Sequence, residues 1–176
     1  MNKRVSFLFS IFGVALFLQA PAAKAEVLVA DEHHFIVKHE IMVPLDTQTS
    51  YQLLGKPSLW WSSAHTWSGD AKNLRMQLKA GGCFCEIWEG NSVVHAQVIH
   101  AKAGSLLRMQ GALGPLQDMA VNAVLTYTLK KAAGGTLLEL SYRVSGNVSH
   151  KLTSLAGPVD KVLGEQMEGF QKAASK

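Results

Sequence analysis

Cys83 and Cys85 are the only cysteines of the 176-residue chain, and a single residue separates them. They follow a glycine turn in a segment whose pattern is that of a β-strand, in which successive side chains point to opposite faces. One face would carry Cys83, Cys85 and Ile87, and the other Phe84, Glu86 and Trp88. Such a pair fits three kinds of chemistry: two buried, reduced thiols, a redox couple, or part of a metal site.

The spacing constrains each of these alternatives. Two residues apart on an extended strand, the Cα atoms lie about 6.5 to 7 Å from each other, at the far limit for a disulfide, so a bridge requires the backbone to buckle. In a metal site His65 or His95 is a possible further ligand, since thiolate and imidazole together suit zinc or copper. The sequence leaves all three readings open and assigns no metal or cofactor.

Three side chains are candidates for acid/base chemistry. Glu86 lies between Phe84 and Trp88 on its strand face, so if that face is buried the carboxylate needs a partner or has a raised pKa. His65 falls in a loop, and His95 lies on the next strand, where the register decides which face it shares. The chain has no nucleophile elbow, phosphate loop, HExxH motif or dinucleotide fingerprint.

The first 25 residues have the pattern of a secretory signal peptide. A basic start, Asn2-Lys3-Arg4, precedes the apolar run from Val5 to Leu18, and Ala23-Lys24-Ala25 presents small residues for cleavage. We expect an exported, periplasmic or secreted chain that begins at Glu26 and has no stable membrane anchor. Removal of this segment leaves 14 basic and 13 acidic residues, and so small a net charge argues against a nucleic-acid partner.

The remainder has the size of one domain and an α+β pattern. Residues 26–32 are predicted to be a flexible lead-in and residues 33–174 the folded domain. A strand from His33 to Val43 precedes two short helical segments, the first capped by Asp46, and glycine turns then separate about six strands. An amphipathic helix from Lys151 to Ala174 ends the chain. We predict a curved antiparallel sheet of about seven strands wrapped around that helix.

This order of elements resembles the START-like, or SRPBCC, helix-grip superfamily, and in particular an exported polyketide cyclase/dehydrase-like branch. Trp60-Trp61 is similar to its tryptophan pair, Gly81-Gly82 to its turn before a strand, and residues 159–167 to its closing helix. The tracts at 65–70, 82–86 and 111–117 are similar to an exported bacterial subgroup. The resemblance covers about His33 to Lys172 and implies a cavity between sheet and helix for an apolar or amphipathic small molecule.

Two functions of different classes follow as expectations. The first is a binding protein without turnover, and the second is a cyclase, dehydratase-like lyase or isomerase that uses Glu86, His65 or His95 as its acid/base group. Thiol redox or metal chemistry at the cysteines is a minor third alternative. The oligomeric state is not readable from the sequence. The candidate ligand-binding residues are Trp60, Trp61, His65, Trp88, His95, Arg108, Met109, Tyr127, Met167 and Phe170.

Overall fold

The computed structural model describes residues 24–176, which form eight β-strands and two α-helices. The predicted signal peptide lies outside the described residues, except for Lys24 and Ala25 at the start of β1. The strands are β1 (Lys24–Ala30), β2 (His34–Val43), β3 (Leu74–Met76), β4 (Cys83–Trp88), β5 (Asn91–Lys102), β6 (Leu106–Gln110), β7 (Asn122–Ala132) and β8 (Gly135–Ser145). The α-helices are α1 (Thr47–Leu54) and α2 (Leu152–Ala174), and short 3-10 turns occupy parts of the loops.

All eight strands belong to one antiparallel sheet, in the order β1-β2-β8-β7-β6-β5-β4-β3. Because β2 pairs with β8 rather than with β3, the chain leaves the sheet after β2 to form α1 and the following loop, and re-enters it at the far edge. Helix α2 then crosses one face and packs against β2. The α+β class and the helix lying on the sheet agree with the expectation from the sequence.

The alternation of side chains explains which face of the sheet is buried. On β2 every second residue from Phe35 to Val43 is buried, and on β8 every second residue from Thr136 to Val144. These side chains meet the apolar stripe of α2, which includes Leu163, Met167 and Phe170. The core therefore lies between the sheet and α2.

Helix α1 begins as the sequence predicts. The Asp46 carboxylate accepts hydrogen bonds from the backbone N–H groups of Gln48 (2.8 Å) and Thr49 (3.0 Å). It thereby satisfies two of the donors that a helix start leaves free. The hydrogen bond from the Thr49 hydroxyl, together with these backbone bonds, holds the pKa of Asp46 below its ordinary value.

The start of the domain differs from the prediction. Residues 26–30, expected to be a flexible lead-in, are part of β1, which pairs with β2 and raises the number of strands from about seven to eight. Val27, Leu28 and Val29 are all partly exposed, so the strand is held mainly by its backbone ladder at the edge of the sheet. A segment without buried alternation carries little sequence signal for a strand.

A glycine allows α2 to approach the loop closely. A Cβ added at Gly169 would overlap the backbone carbonyl oxygen of Trp60, whose indole N–H donates to the carbonyl of Leu53 (3.0 Å). Trp60 packs edge-on against Phe170 of the same helix, with ring centroids 5.5 Å apart. The position of α2 therefore depends on the absence of a side chain at residue 169.

We predict that Gly169→Ala lowers the free energy of unfolding by about 1–3 kcal/mol, because the new methyl group must displace backbone rather than a flexible side chain. The neighbouring exposed change Glu168→Ala is the control and should stay within about 0.5 kcal/mol of wild type. Urea denaturation of the three proteins measures both effects. Equal stability of the Gly169→Ala variant and wild type would contradict the close approach.

Candidate functional site

A cavity of about 440 Å³ lies between α2, the sheet and two loops, residues 61–67 and 113–119. Most of its lining is apolar. The apolar side chains include Trp61, Leu116, Met119, Leu155, Val159 and Leu163. Its volume is within the range of small-molecule sites in proteins.

A buried glutamate–histidine pair borders this cavity. The ring Nε2 of His95, on β5, lies 3.1 Å from Oε2 of Glu86, on the neighbouring strand β4. Glu86 is fully buried, and His95 is buried except where it lines the cavity. The ring of Phe84 packs against the imidazole at a centroid distance of 5.0 Å.

An irregularity in the β4–β5 ladder turns His95 toward Glu86. Phe84 pairs with Ala96, but the next residue, Cys85, pairs with Val94, so His95 is an extra residue in β5. His95 and Ala96 are both buried although they are consecutive, whereas Val94 is 61% exposed. A β-bulge of this kind re-aims a side chain, and here it places an imidazole on the face that carries Glu86.

The Glu86 carboxylate is fully hydrogen-bonded. Its Oε2 accepts from the backbone N–H of Trp67 (3.0 Å), and its Oε1 accepts from that of Ser68. Burial raises the pKa of Glu86, but the hydrogen bonds from Ser68 and Trp67 and the nearby His95 outweigh burial and hold the pKa below its ordinary value of 4.5. Glu86 is therefore ionised at neutral pH and acts as an acceptor only.

The ionised carboxylate determines the state of His95. Burial lowers the pKa of His95 below its ordinary value of 6.5, although the charge and hydrogen bond of Glu86 raise it in part. The imidazole is therefore neutral at pH 7, with its proton on Nε2, which donates to Glu86. Nδ1 is left as an acceptor. The site thus combines a fixed negative charge with a neutral, oriented imidazole.

Other contacts hold α2 over the cavity. Nε2 of His65, at the edge of the cavity, lies 2.7 Å from a carboxylate oxygen of Glu165 on α2. Earlier in the same loop, the backbone N–H of Ser62 donates to the buried side-chain amide oxygen of Gln166 (2.8 Å). The loop that supplies two hydrogen bonds to Glu86 is therefore also fastened to the helix.

The structure brings some of the sequence-predicted ligand residues to the cavity and places others elsewhere. Trp61, His65 and His95 line it. Five others are buried in the core: Trp60, Met109, Tyr127, Met167 and Phe170. Trp88 is half-buried at the end of β4, opposite Asn91, and Arg108 lies on the outer face of β6, where its Nε donates to the Thr126 hydroxyl (3.2 Å).

The cavity also includes residues that the sequence analysis did not single out. Tyr142, on β8, lines it, and its hydroxyl accepts from the backbone N–H of Leu113 (2.9 Å) and donates to the carbonyl of Gly111 (3.2 Å). Burial raises the pKa of this hydroxyl. The alternation of β8 gives a usable signal for Tyr142, since it has the same parity as Leu138 and Leu140. The backbone donors of Trp67 and Ser68 have no such signal.

The two cysteines form a disulfide on the outer face of β4, away from His95. Their Cα atoms are 5.4 Å apart, closer than the about 6.5 to 7 Å of a fully extended strand, so the backbone is contracted at the bridge as the spacing in the sequence requires. Within residues 24–176 no group of three or more histidine, cysteine, aspartate or glutamate side chains is arranged to hold a metal ion. The disulfide and Glu86 lie on opposite faces of β4 and are separate features.

The fold is similar to that of several solved structures of bacterial proteins. One is protein MLL2253 from Mesorhizobium loti, with a TM-score of 0.56, 15% identity, and 78% of this chain and 95% of that one covered. Another is an uncharacterized protein from Rhizobium leguminosarum, with a TM-score of 0.58, 13% identity and coverages of 88% and 98%. A third is EF2215 from Enterococcus faecalis, a conserved protein of unknown function, with a TM-score of 0.58, 12% identity and coverages of 88% and 77%.

These similarities establish a shared antiparallel sheet fold, and at such identities they say nothing further about activity. No protein-family model matches the chain, and no curated protein sequence does so either. Among the described residues no helix has the length and apolar character needed to cross a membrane.

We predict that Glu86→Gln lowers the free energy of unfolding by about 1–3 kcal/mol at pH 7. In the variant, the side-chain NH₂ replaces one carboxylate oxygen and faces an N–H donor that has then lost its acceptor. Glu168→Gln, on the exposed face of α2, is the control and should be near neutral. Urea denaturation measures the difference.

The pH dependence of this difference has a defined sign. The pKa of Glu86 is lower in the folded protein than its ordinary value of 4.5. The stability that the ionised carboxylate contributes is therefore fully present above pH 4.5 and is lost as the pH falls through the folded pKa. The difference in the free energy of unfolding between wild type and Glu86→Gln should therefore become smaller at acid pH. A gap that widens as the pH falls would contradict an ionised Glu86.

Proposed function

We propose that this protein is an exported member of the START-like, or SRPBCC, superfamily that binds an apolar or amphipathic small molecule between the sheet and α2. The observation that carries the proposal is the cavity of about 440 Å³, whose lining is apolar except at a few points. The sheet-and-helix architecture, the tryptophan pair and the glycine turn support membership of the superfamily. Export rests on the signal-like first 25 residues.

The shape and chemistry of the lining favour one class of ligand. Burial of apolar surface is worth roughly 25 cal/mol per Å², so the aliphatic and aromatic walls favour a molecule that is mostly hydrocarbon. His95 supplies a polar contact inside, and the His65–Glu165 pair supplies polar groups at the edge. A ligand with an apolar body and one polar group matches this arrangement.

The cavity makes a direct prediction for the mature protein. Native mass spectrometry of protein purified from the periplasm, without reductant, should show an organic adduct that is lost on denaturation. In Val159→Trp an indole fills part of the cavity and the adduct should fall at least about fivefold, whereas Val148→Trp, the same change at an exposed site, should retain it. Equal loading of both variants would contradict binding in this cavity.

A second candidate function is acid/base catalysis, which the Glu86–His95 pair specifically favours. A neutral imidazole whose Nε2–H is held by a buried carboxylate is an oriented general base, and both side chains are buried beside an apolar cavity. The corresponding enzyme would be a cyclase, dehydratase-like lyase or isomerase in which His95 takes a proton from the ligand. Glu86 would stabilise the imidazolium that forms.

Ring opening of 5-nitrobenzisoxazole tests for this base, because removal of its C3 proton breaks the N–O bond and releases a coloured phenolate. We expect catalysis by the wild type, a loss of at least about a hundredfold in His95→Phe, and no change in His100→Phe, an exposed site on the same strand. The rate should rise with pH to a plateau, with a midpoint below 6.5 because the His95 pKa is lowered. Equal rates for wild type and His95→Phe would argue against the enzyme.

A further inference from the structure

The polar side chains that line the cavity differ in whether their donors and acceptors have hydrogen-bond partners within the protein. The Tyr142 hydroxyl makes two hydrogen bonds, and the Thr66 hydroxyl donates to the carbonyl of Ser63 (2.8 Å). His65 pairs with Glu165 and is partly open to solvent, which can satisfy its second nitrogen. These three groups therefore have partners without a ligand.

His95 is the exception among the cavity-lining residues. Its Nε2 is occupied by Glu86, and its Nδ1 has no hydrogen-bond partner in residues 24–176. Nδ1 is also not one of the completely enclosed polar atoms that lack a partner, so it retains access to the cavity that His95 lines. An acceptor that faces an apolar cavity without a protein partner is available to a donor on a bound molecule.

The Glu86 carboxylate, on the far side of the His95 ring, determines which polar groups of a ligand can contact Nδ1. Glu86 is ionised and lies 3.1 Å from the ring, so a carboxylate or phosphate on the ligand would meet a neutral acceptor backed by a negative charge. An ammonium group would have to give up its hydration in an apolar cavity, at a large cost. A neutral hydroxyl donates to Nδ1 and incurs neither penalty.

We infer that the ligand is an uncharged phenol or alcohol with an apolar body, whose hydroxyl donates to Nδ1 of His95. The inference rests on the proposed binding function and specifies its ligand class. The bulge in β5 fixes the acceptor on the inner face, Glu86 holds the ring in the tautomer that accepts at Nδ1, and the apolar walls receive the body of the ligand. Aromatic rings suit the walls near Trp61, so phenols are the first members of the class to test.

Matched pairs of probes test this recognition. 2-Naphthol and 2-methylnaphthalene have nearly the same shape and differ in the hydroxyl, and 4-butylphenol and 4-butyltoluene form a second pair. Isothermal titration calorimetry gives the ratio of the two dissociation constants within each pair for wild type, His95→Phe and His100→Phe. Because the comparison is made within each protein, a general loss of affinity cancels. Thermal unfolding checks that each variant is folded.

We expect the preference for the hydroxyl member to fall by at least about fivefold in His95→Phe and to remain unchanged in His100→Phe. Binding of both members in every protein, with an unchanged ratio, would overturn the inference and leave the proposed function standing. Failure of both members to bind wild type would overturn the proposed function together with the inference that rests on it.

A measurement on the wild type makes the test independent of any variant. Long-range proton–nitrogen NMR correlations identify which ring nitrogen of His95 carries the proton. We expect the proton on Nε2 in the free protein, and a shift of the Nδ1 resonance when 2-naphthol, but not 2-methylnaphthalene, is added. A proton on Nδ1, or equal shifts with both probes, would overturn the inference.

Discussion

The buried negative charge of Glu86 constrains the structure around the cavity more than any other group. An isolated carboxylate inside an apolar core is prohibitively costly, so the fold must surround it with donors. Two backbone N–H groups from the loop and one imidazole N–H supply them. The loop conformation at Trp67 and Ser68 and the bulge at His95 bring these donors to Glu86, and together they form one side of the cavity.

The other side is formed by α2, which is fastened to the same loop. His65 contacts Glu165, and Ser62 contacts Gln166. Nε2 of His39, on β2, also lies 2.9 Å from Oδ1 of Asp160 on α2, without hydrogen-bond geometry. Gly164 stands where a side chain would press on the His39 ring, and Gly169 stands where one would overlap the loop backbone. Small residues and polar contacts thus set the position of the helix, and the apolar residues between them line an open space.

Much of the fold could be predicted from local patterns, but the site only in part. Alternation on β4 separates the cysteine face from the Glu86 face as the burial of these residues confirms, and Asp46 caps α1 as expected. The direction of His95 depends on a bulge that no short motif signals, and the donors to Glu86 are backbone groups, which any residue has. Large apolar side chains such as Met109 and Phe170 carry the same signal whether they fill a core or line a cavity, so the sequence could not separate the two.

The solved structures of similar fold show how the chain is built, and the chemistry has to be sought in its own residues. Ligand binding requires the apolar cavity beside the Glu86–His95 pair to be open to small molecules. Diffraction from crystals held under xenon pressure measures this, because xenon enters dry apolar cavities and scatters strongly. We expect a xenon atom between α2 and the sheet, among Leu155, Val159 and Leu163. A cavity filled by its own side chains, with no xenon in it, would rule out ligand binding at this place.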